Sequence, residues 1–262
     1  MQVFPLYEGT FTVDSFKTFI PFQSSAHKLE DRPASLLVDI VPFLIQTKNE
    51  LIVVDPGLGF PDNVSTGNGF QIQNNIRHHG FSSEDVTLVL LSHLHKDHAG
   101  GVCYNKEGQY HLMFPSAKYY CQEKEMEYAF TKTESPSYIF DRLKFLHNSK
   151  QLNYLDGNGN IGSEIRCEVS GGHTPYHQVF HFESGNEKYF FGGDVLPQPS
   201  QVIRKFVAKY DFDGGKSAEK RREYATRAAQ ENWTCLFFHD GKTPMAKVKK
   251  GSGHFTVHAV EK

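Results

Sequence analysis

"LVLLSHLHKDHAGG", residues 88–101, sets three histidines and an aspartate within six positions directly after an apolar run. Histidine is a middling residue for burial and packs poorly in numbers. His93, His95, Asp97 and His98 in one turn therefore ask for a chemical reason rather than a packing one. His93 and His95 alternate, so they can face the same way in an extended or turning segment. Asp97 and His98 follow in a turn closed by Ala99-Gly100-Gly101. With 14 histidines in 262 residues, H-x-H-x-D-H arises by chance in only about a few chains per thousand, so a solvated His-rich turn explains it poorly.

Outward from this stretch, short apolar runs ending in Gly, Asp or His recur: "LIVVDPG" at 51–57, "VTLVLLSH" at 86–93, "EIRCEVSGGH" at 164–173, "KYFFGGD" at 188–194 and "TCLFFHD" at 234–240. These read as strands. Helical spacing is expected in "CQEKEMEYAF" at 121–130, "SYIFDRLKFL" at 137–146 and "SAEKRREYATRAAQEN" at 217–232, the last with Ser217 as its cap. Turn-rich loops are expected at 57–70 and 155–163. No Pro/Ser-rich linker, low-complexity tract or internal repeat interrupts the alternation, so one α/β domain over residues 1–262 is the economical reading.

The charge balance, Lys+Arg 28 against Asp+Glu 30, provides no basic field for a nucleic-acid backbone. No apolar run approaches the roughly 20 residues that span a bilayer, and "MQVFPLYEGTFTVDSF" lacks the pattern of a secretory signal. Cys103, Cys121, Cys167 and Cys235 are scattered singly, which suits reduced packing thiols in a cytosol better than disulfides or a thiolate metal site. A cytoplasmic protein acting on a small molecule is expected, with no nucleic-acid or membrane partner and a homodimer as the ordinary oligomer.

Three further candidates stand just past strands: His173 after "IRCEVSGG", Asp194 after "YFFGG" and His239 after "CLFF". Alone, each would more often cap or hydrogen-bond than ligate. Their joint placement reverses that, because ligand sites in α/β folds favour the loops at the carboxyl ends of strands. Imidazole and carboxylate donors without thiolate suit zinc in an open arrangement of about three protein ligands each, and seven donors suffice for two ions. The other histidines (27, 78, 79, 111, 147, 177, 181, 254 and 258) get the bland reading, with His177 the least dismissible. Phe22, Tyr138 and Phe140 are read as packing residues rather than pocket walls.

These residues carry a resemblance. "SHLHKDHAGG" resembles the H-x-H-x-D-H signature of the metallo-β-lactamase superfamily, "GGHTPYHQ", "FFGGDV" and "LFFHD" look like its remaining metal-binding segments, and "LIVVDPGLG" matches its early strand ending in D-x-G. The likeness implies a four-layer αββα sandwich of two mixed β-sheets. It implies that His93, His95 and His173 hold one zinc, that Asp97, His98 and His239 hold the second, and that Asp194 bridges them, with Asp55 supporting a ligand imidazole. With "LYEGTFTVD" at the start, the chain is most similar to the quorum-signal lactonase and organophosphate-hydrolase branch. Those lactonases carry a tyrosine three residues after the bridging aspartate, where this chain has Pro197.

The resemblance implies a hydrolase with two Zn2+ per chain that cleaves a small ester or lactone by attack of a metal-bound hydroxide, Asp97 orienting the nucleophile and taking its proton. The rivals are β-lactam, glutathione-thioester or phosphotriester hydrolysis on the same fold, and a mononuclear iron persulfide dioxygenase. A nucleic-acid-processing module fits the neutral charge poorly.

Overall fold

Period-two alternation sorts the apolar runs into layers. Along Leu51–Val54, Val53 packs in one core while Ile52 and Val54 pack in another, and along Leu88–Leu90 Val89 opposes Leu88 and Leu90. Strands buried on both faces must be covered on both, which is what the computed structural model shows. It describes residues 1–23, 28–34, 36–59 and 70–260. His27 and most of the loop expected at 57–70 lie outside the described residues.

A six-stranded sheet runs Gln2–Pro5, Phe43–Gln46, Leu51–Val54, Leu88–Leu90, Lys118–Gln122, Leu152–Leu155, antiparallel in its first two pairings and parallel thereafter. A seven-stranded sheet runs Gly159–Ile161, Ile165–Val169, Gln178–Ser184, Glu187–Phe191, Thr234–Leu236, Met245–Lys250, Phe255–Ala259. Its one parallel pairing, Glu187–Phe191 with Thr234–Leu236, is spanned by the helix Gly214–Glu231, as a crossover connection requires.

On the outside of the first sheet, Ile72, Ile76, Met126, Ala129, Leu143 and Leu146 of three short helices pack on Leu44, Val53 and Val89. Between the sheets, Ile52, Val54 and Leu90 meet Phe180, Phe182, Phe191 and Phe238. Beyond the second sheet, Tyr224, Ala225 and Ala228 of the long helix cover Val179, Phe190 and Phe237. The order helix, sheet, sheet, helix is the expected four-layer αββα sandwich of mixed sheets. A three-stranded sheet (Phe19–Pro21, Gly9–Val13, Leu36–Ile40) is added near the N-terminus.

Three local expectations change. Cys121 and Gln122 end the strand Lys118–Gln122 and the helix starts at Glu123, because Tyr119 and Cys121 are drawn into the core and pair in parallel with Leu152 and Tyr154. The long helix starts at Gly214, where Asp213 Oδ1 accepts from Lys216 N at 2.9 Å, leaving Ser217 buried inside the helix instead of capping it. The 155–163 stretch contains the edge strand Gly159–Ile161.

All four cysteines are free and buried: Cys103 and Cys121 in the first outer core, Cys167 between the sheets and Cys235 beneath the long helix. Among the described residues no helix is long and apolar enough to cross a membrane.

Candidate metal centre

Four strands run out into one cluster of side chains. The loop after Leu88–Leu90 brings His93, whose Nε2 lies 3.0 Å from His95 Nδ1. The loop after Ile165–Val169 brings His173 Nε2 to 2.9 Å from the same His95 nitrogen. Asp97 Oδ2 lies 3.7 Å from both His98 Nε2 and His239 Nε2, the latter just past Thr234–Leu236. Asp194, after Glu187–Phe191, stands between the two trios. Its Oδ1 is 3.0 Å from His98 Nε2 and from His239 Nε2, and its Oδ2 is 3.2 Å from His173 Nε2. All seven candidates from the sequence are brought together.

The outer atoms of the rings decide what the inner atoms offer. A carboxylate or carbonyl only accepts, so His98 Nδ1 must donate to Asp55 Oδ2 (2.7 Å), His173 Nδ1 to Asp211 Oδ1 (2.7 Å) and His239 Nδ1 to the Asp39 carbonyl (2.8 Å). Ser92 Oγ donates to Asp55 Oδ2, which leaves it to accept from His93 Nδ1 at 3.0 Å. Four imidazoles thus carry a proton on Nδ1 and, when neutral, turn a bare Nε2 inward, facing other ring nitrogens and carboxylate oxygens. His98 Nε2 and Asp194 Oδ1 are buried and make no hydrogen bond among the described residues. Crowded acceptors without a donor repel unless a cation lies among them, so the donor set fits divalent metal ions.

Electrostatics agree. Burial and the neighbouring imidazoles hold His93 and His95 well below the ordinary histidine range, keeping their lone pairs free. Burial opposes charge on His98 and His239, but the Asp194 and Asp97 carboxylates together with their neighbours outweigh it and raise both. Burial likewise opposes ionisation of Asp194, and His239, His98 and His173 overcome it. The cluster draws positive charge to the place where its inner atoms meet.

Asp55, His93 and His98 also lie close enough to suggest a third group of donors. Asp55 has no oxygen to spare, however. Its Oδ1 accepts from Ser92 N at 2.7 Å, and its Oδ2 accepts from Ser92 Oγ at 2.5 Å as well as from His98. It is an outer support, held in a left-handed backbone conformation (φ 48°) that aspartate tolerates better than most residues. Gly100 and Gly101 let the ligand loop press on the backbone that follows Asp55: a Cβ on Gly101 would collide with the Pro56 carbonyl and one on Gly100 with that of Leu58.

Several supports escape the sequence reading. Asp211 holds His173, and Asp39 holds His239. His177, given the bland reading, is fully buried and its Nε2 accepts from Asp194 N at 3.1 Å, with Ser170 Oγ at its other nitrogen. Gly193 makes room for that ring. Glu125 accepts from Thr174 Oγ1 at 2.8 Å. Of the residues read as packing, Phe22 is buried and Phe140 packs on Phe130, while Tyr138 lies edge-on to the His95 ring at 5.0 Å.

The cluster opens into a cavity of about 480 Å³. Val13, Phe19, Leu36, Val38 and Phe206 form apolar wall, and Asp97, Asp194 and Pro197 also line it.

Comparison with known proteins fits this architecture. A curated relative, the N-acyl homoserine lactonase AttM of Agrobacterium fabrum, is 36% identical over 118 residues, a match spanning 42% of this chain and 40% of that protein. A probable metal-dependent hydrolase from Staphylococcus aureus superposes with a TM-score of 0.78 at 21% identity, covering 100% of this chain and 97% of the other. AidC, a dizinc quorum-quenching lactonase in complex with a product, does so with a TM-score of 0.73 at 23% identity, covering 99% and 94%. These two structural likenesses speak to the fold. The family model for the metallo-beta-lactamase superfamily matches residues 38–239, about three quarters of the sequence, and the chain belongs to that superfamily.

Proposed function

We propose that the chain is a metal-dependent hydrolase that uses two zinc ions to open a small-molecule ester or lactone. The observation that supports this reading is Asp194, which turns one oxygen to each of two inward-facing donor sets. His93, His95 and His173 would hold one ion, Asp97, His98 and His239 the other, and Asp194 both. Zinc suits nitrogen and oxygen donors with open positions. When bound, such ions acidify a water toward neutral pH and polarise a carbonyl oxygen.

The chain's own residues do the rest. Asp97 lines the cavity, so its carboxylate can orient the attacking water and take its proton. The apolar wall holds the organic part of the substrate and excludes competing water. Asp55, Asp211 and the Asp39 carbonyl keep each imidazole in the tautomer that leaves its inner nitrogen bare. Pro197 accepts His239 N on its carbonyl at 3.0 Å and has no side-chain donor for a substrate oxygen. Losing one such donor costs on the order of 10²–10³ in rate in comparable sites, so acyl-homoserine lactones are expected to be slow substrates.

Metal analysis together with a panel of lactone, ester, lactam, thioester and phosphotriester substrates tests the reading. Two zinc ions per chain and preferential turnover of ester or lactone are expected. Saturation at one zinc ion would overturn the two-ion reading, and preferential iron with oxygen uptake would replace it with the dioxygenase alternative.

A further inference from the structure

The cavity wall carries two cations that the cluster does not use. Lys17 stands in a left-handed backbone conformation (φ 58°) on the turn that begins at Asp14, and its Nζ lies 5.3 Å from the Tyr210 ring centroid. Lys96 stands between His95 and Asp97, its backbone N–H donating to the Ser137 carbonyl at 2.8 Å, with its Nζ 5.9 Å from the Phe19 ring centroid. Both lysines are half-buried and both line the cavity. Among the described residues neither ammonium has a carboxylate within 4.0 Å.

The carboxylates that act on Lys96 from farther away, Asp97 and Asp14, are committed elsewhere. Asp14 Oδ1 accepts from Phe16 N at 2.9 Å and Thr18 N at 2.8 Å. Asp97 is turned toward His98 and His239. Lys17 and Lys96 instead act on each other as like charges. Aromatic faces attract both ammonium groups but do not neutralise them. Two partly desolvated ammonium groups on one wall cost free energy until an anion joins them. The rest of the wall, Val13, Leu36, Val38 and Phe206, calls for hydrocarbon.

We propose that the substrate carries a permanent anionic group, a carboxylate or a phosphate, on an apolar stem, and that Lys17 and Lys96 bind this group while the scissile bond lies at Asp97 and Asp194. The proposal rests on the hydrolase reading above and names its substrate class.

The test uses the metal-loaded full chain and aryl esters of hexanoic and hexanedioic acid, which match in length and differ by a terminal carboxylate. A third ester ending in phosphate separates the two anion sources. The wild type should favour an anionic ester in kcat/KM by about ten-fold or more, chiefly through KM, and added salt should shrink the preference. Lys17→Met and Lys96→Met, with metal content verified, should each cut the anionic-to-neutral ratio by about ten-fold. An equal or reversed ratio in the wild type, or ratios unmoved in both variants, would overturn the proposal. If no ester is turned over, the ester or lactone reading fails while this proposal stays testable by calorimetry with the inert amides of the same acids. Tighter binding of the anionic amide that both variants lose upholds it, and equal binding refutes it.

Discussion

The two sheets supply the cluster in different ways. The six-stranded sheet delivers His93, His95, Asp97 and His98 from one loop after Leu88–Leu90, whereas the seven-stranded sheet delivers His173, Asp194 and His239 from three separate strand ends. The one-loop half is shaped by its own short turn, by the glycine pair behind it and by a single carboxylate, Asp55. The dispersed half needs a separate support at each position: Asp211 for His173, His177 for Asp194, and the Asp39 and Pro197 carbonyls for His239. Donors that arrive together can share one support, whereas donors that arrive singly must each be aimed by a distant partner.

Asp194 comes from the dispersed half yet touches both trios, so the largest effect is expected there. Asp194→Asn should lose metal from both positions and cut turnover by at least about 10²-fold, since even outer supports cost 10–100-fold. His173→Ala should lose one ion only and stay folded, because the strand-end loops carry donors while the sheets carry the core. Metal content with far-ultraviolet circular dichroism reads both. If Asp194→Asn kept both ions, the two halves would not be joined through that carboxylate.

The supports come next. At position 55 an amide would turn a donor either toward Ser92 N–H or toward both Ser92 Oγ–H and the His98 N–H, so that donor meets donor in either orientation. At position 211 the amide oxygen can still accept from His173 Nδ1. In zinc competition titrations Asp55→Asn should therefore lie near the upper end of the 10–100-fold range and Asp211→Asn near the lower end. Equal losses would mean that the one-loop half gains nothing from sharing a support.

The smallest effect concerns the link between the halves. Glu125 holds Thr174, beside His173, and the backbone N–H groups of Leu94 and Tyr176 also face it. Burial pushes its carboxyl up to about 7 from an ordinary 4.5. A raised acid binds its proton more tightly when folded, so its contribution to stability is greatest below 4.5 and is lost as pH climbs toward 7. Melting of metal-free protein should show this decline in the wild type and not in Glu125→Gln, a difference of about 2–4 °C for each 1 kcal/mol. Parallel slopes would remove Glu125 as the link.

Legibility in the sequence followed the same divide. H-x-H-x-D-H could be read directly because its four donors share one turn and one loop aims them. His173, Asp194 and His239 were readable only through their place after apolar runs, a signal of the fold rather than of chemistry. The partners of His173 and His239 were not readable, because Asp211 and Asp39 stand 38 and 200 residues away from the rings they hold. His177 looked like its bland neighbours because what it holds is a backbone N–H, which leaves no trace in side-chain identity. Local propensity also misplaced the start of the helix at Glu123, where core burial of Tyr119 and Cys121 outweighs helix-forming neighbours.

The four thiols, scattered in sequence, are distributed among the layers. Burial pushes Cys103 and Cys235 up to about 12 and raises Cys121 and Cys167 as well, so an alkylating reagent meets no reactive thiolate while the layers stay closed. Cys103 and Cys121 become reactive only if the helices lift from the six-stranded sheet, Cys167 only if the sheets part, and Cys235 only if the long helix detaches. Mapping which cysteine is modified first would show the order in which the sandwich comes apart, without introducing a single label.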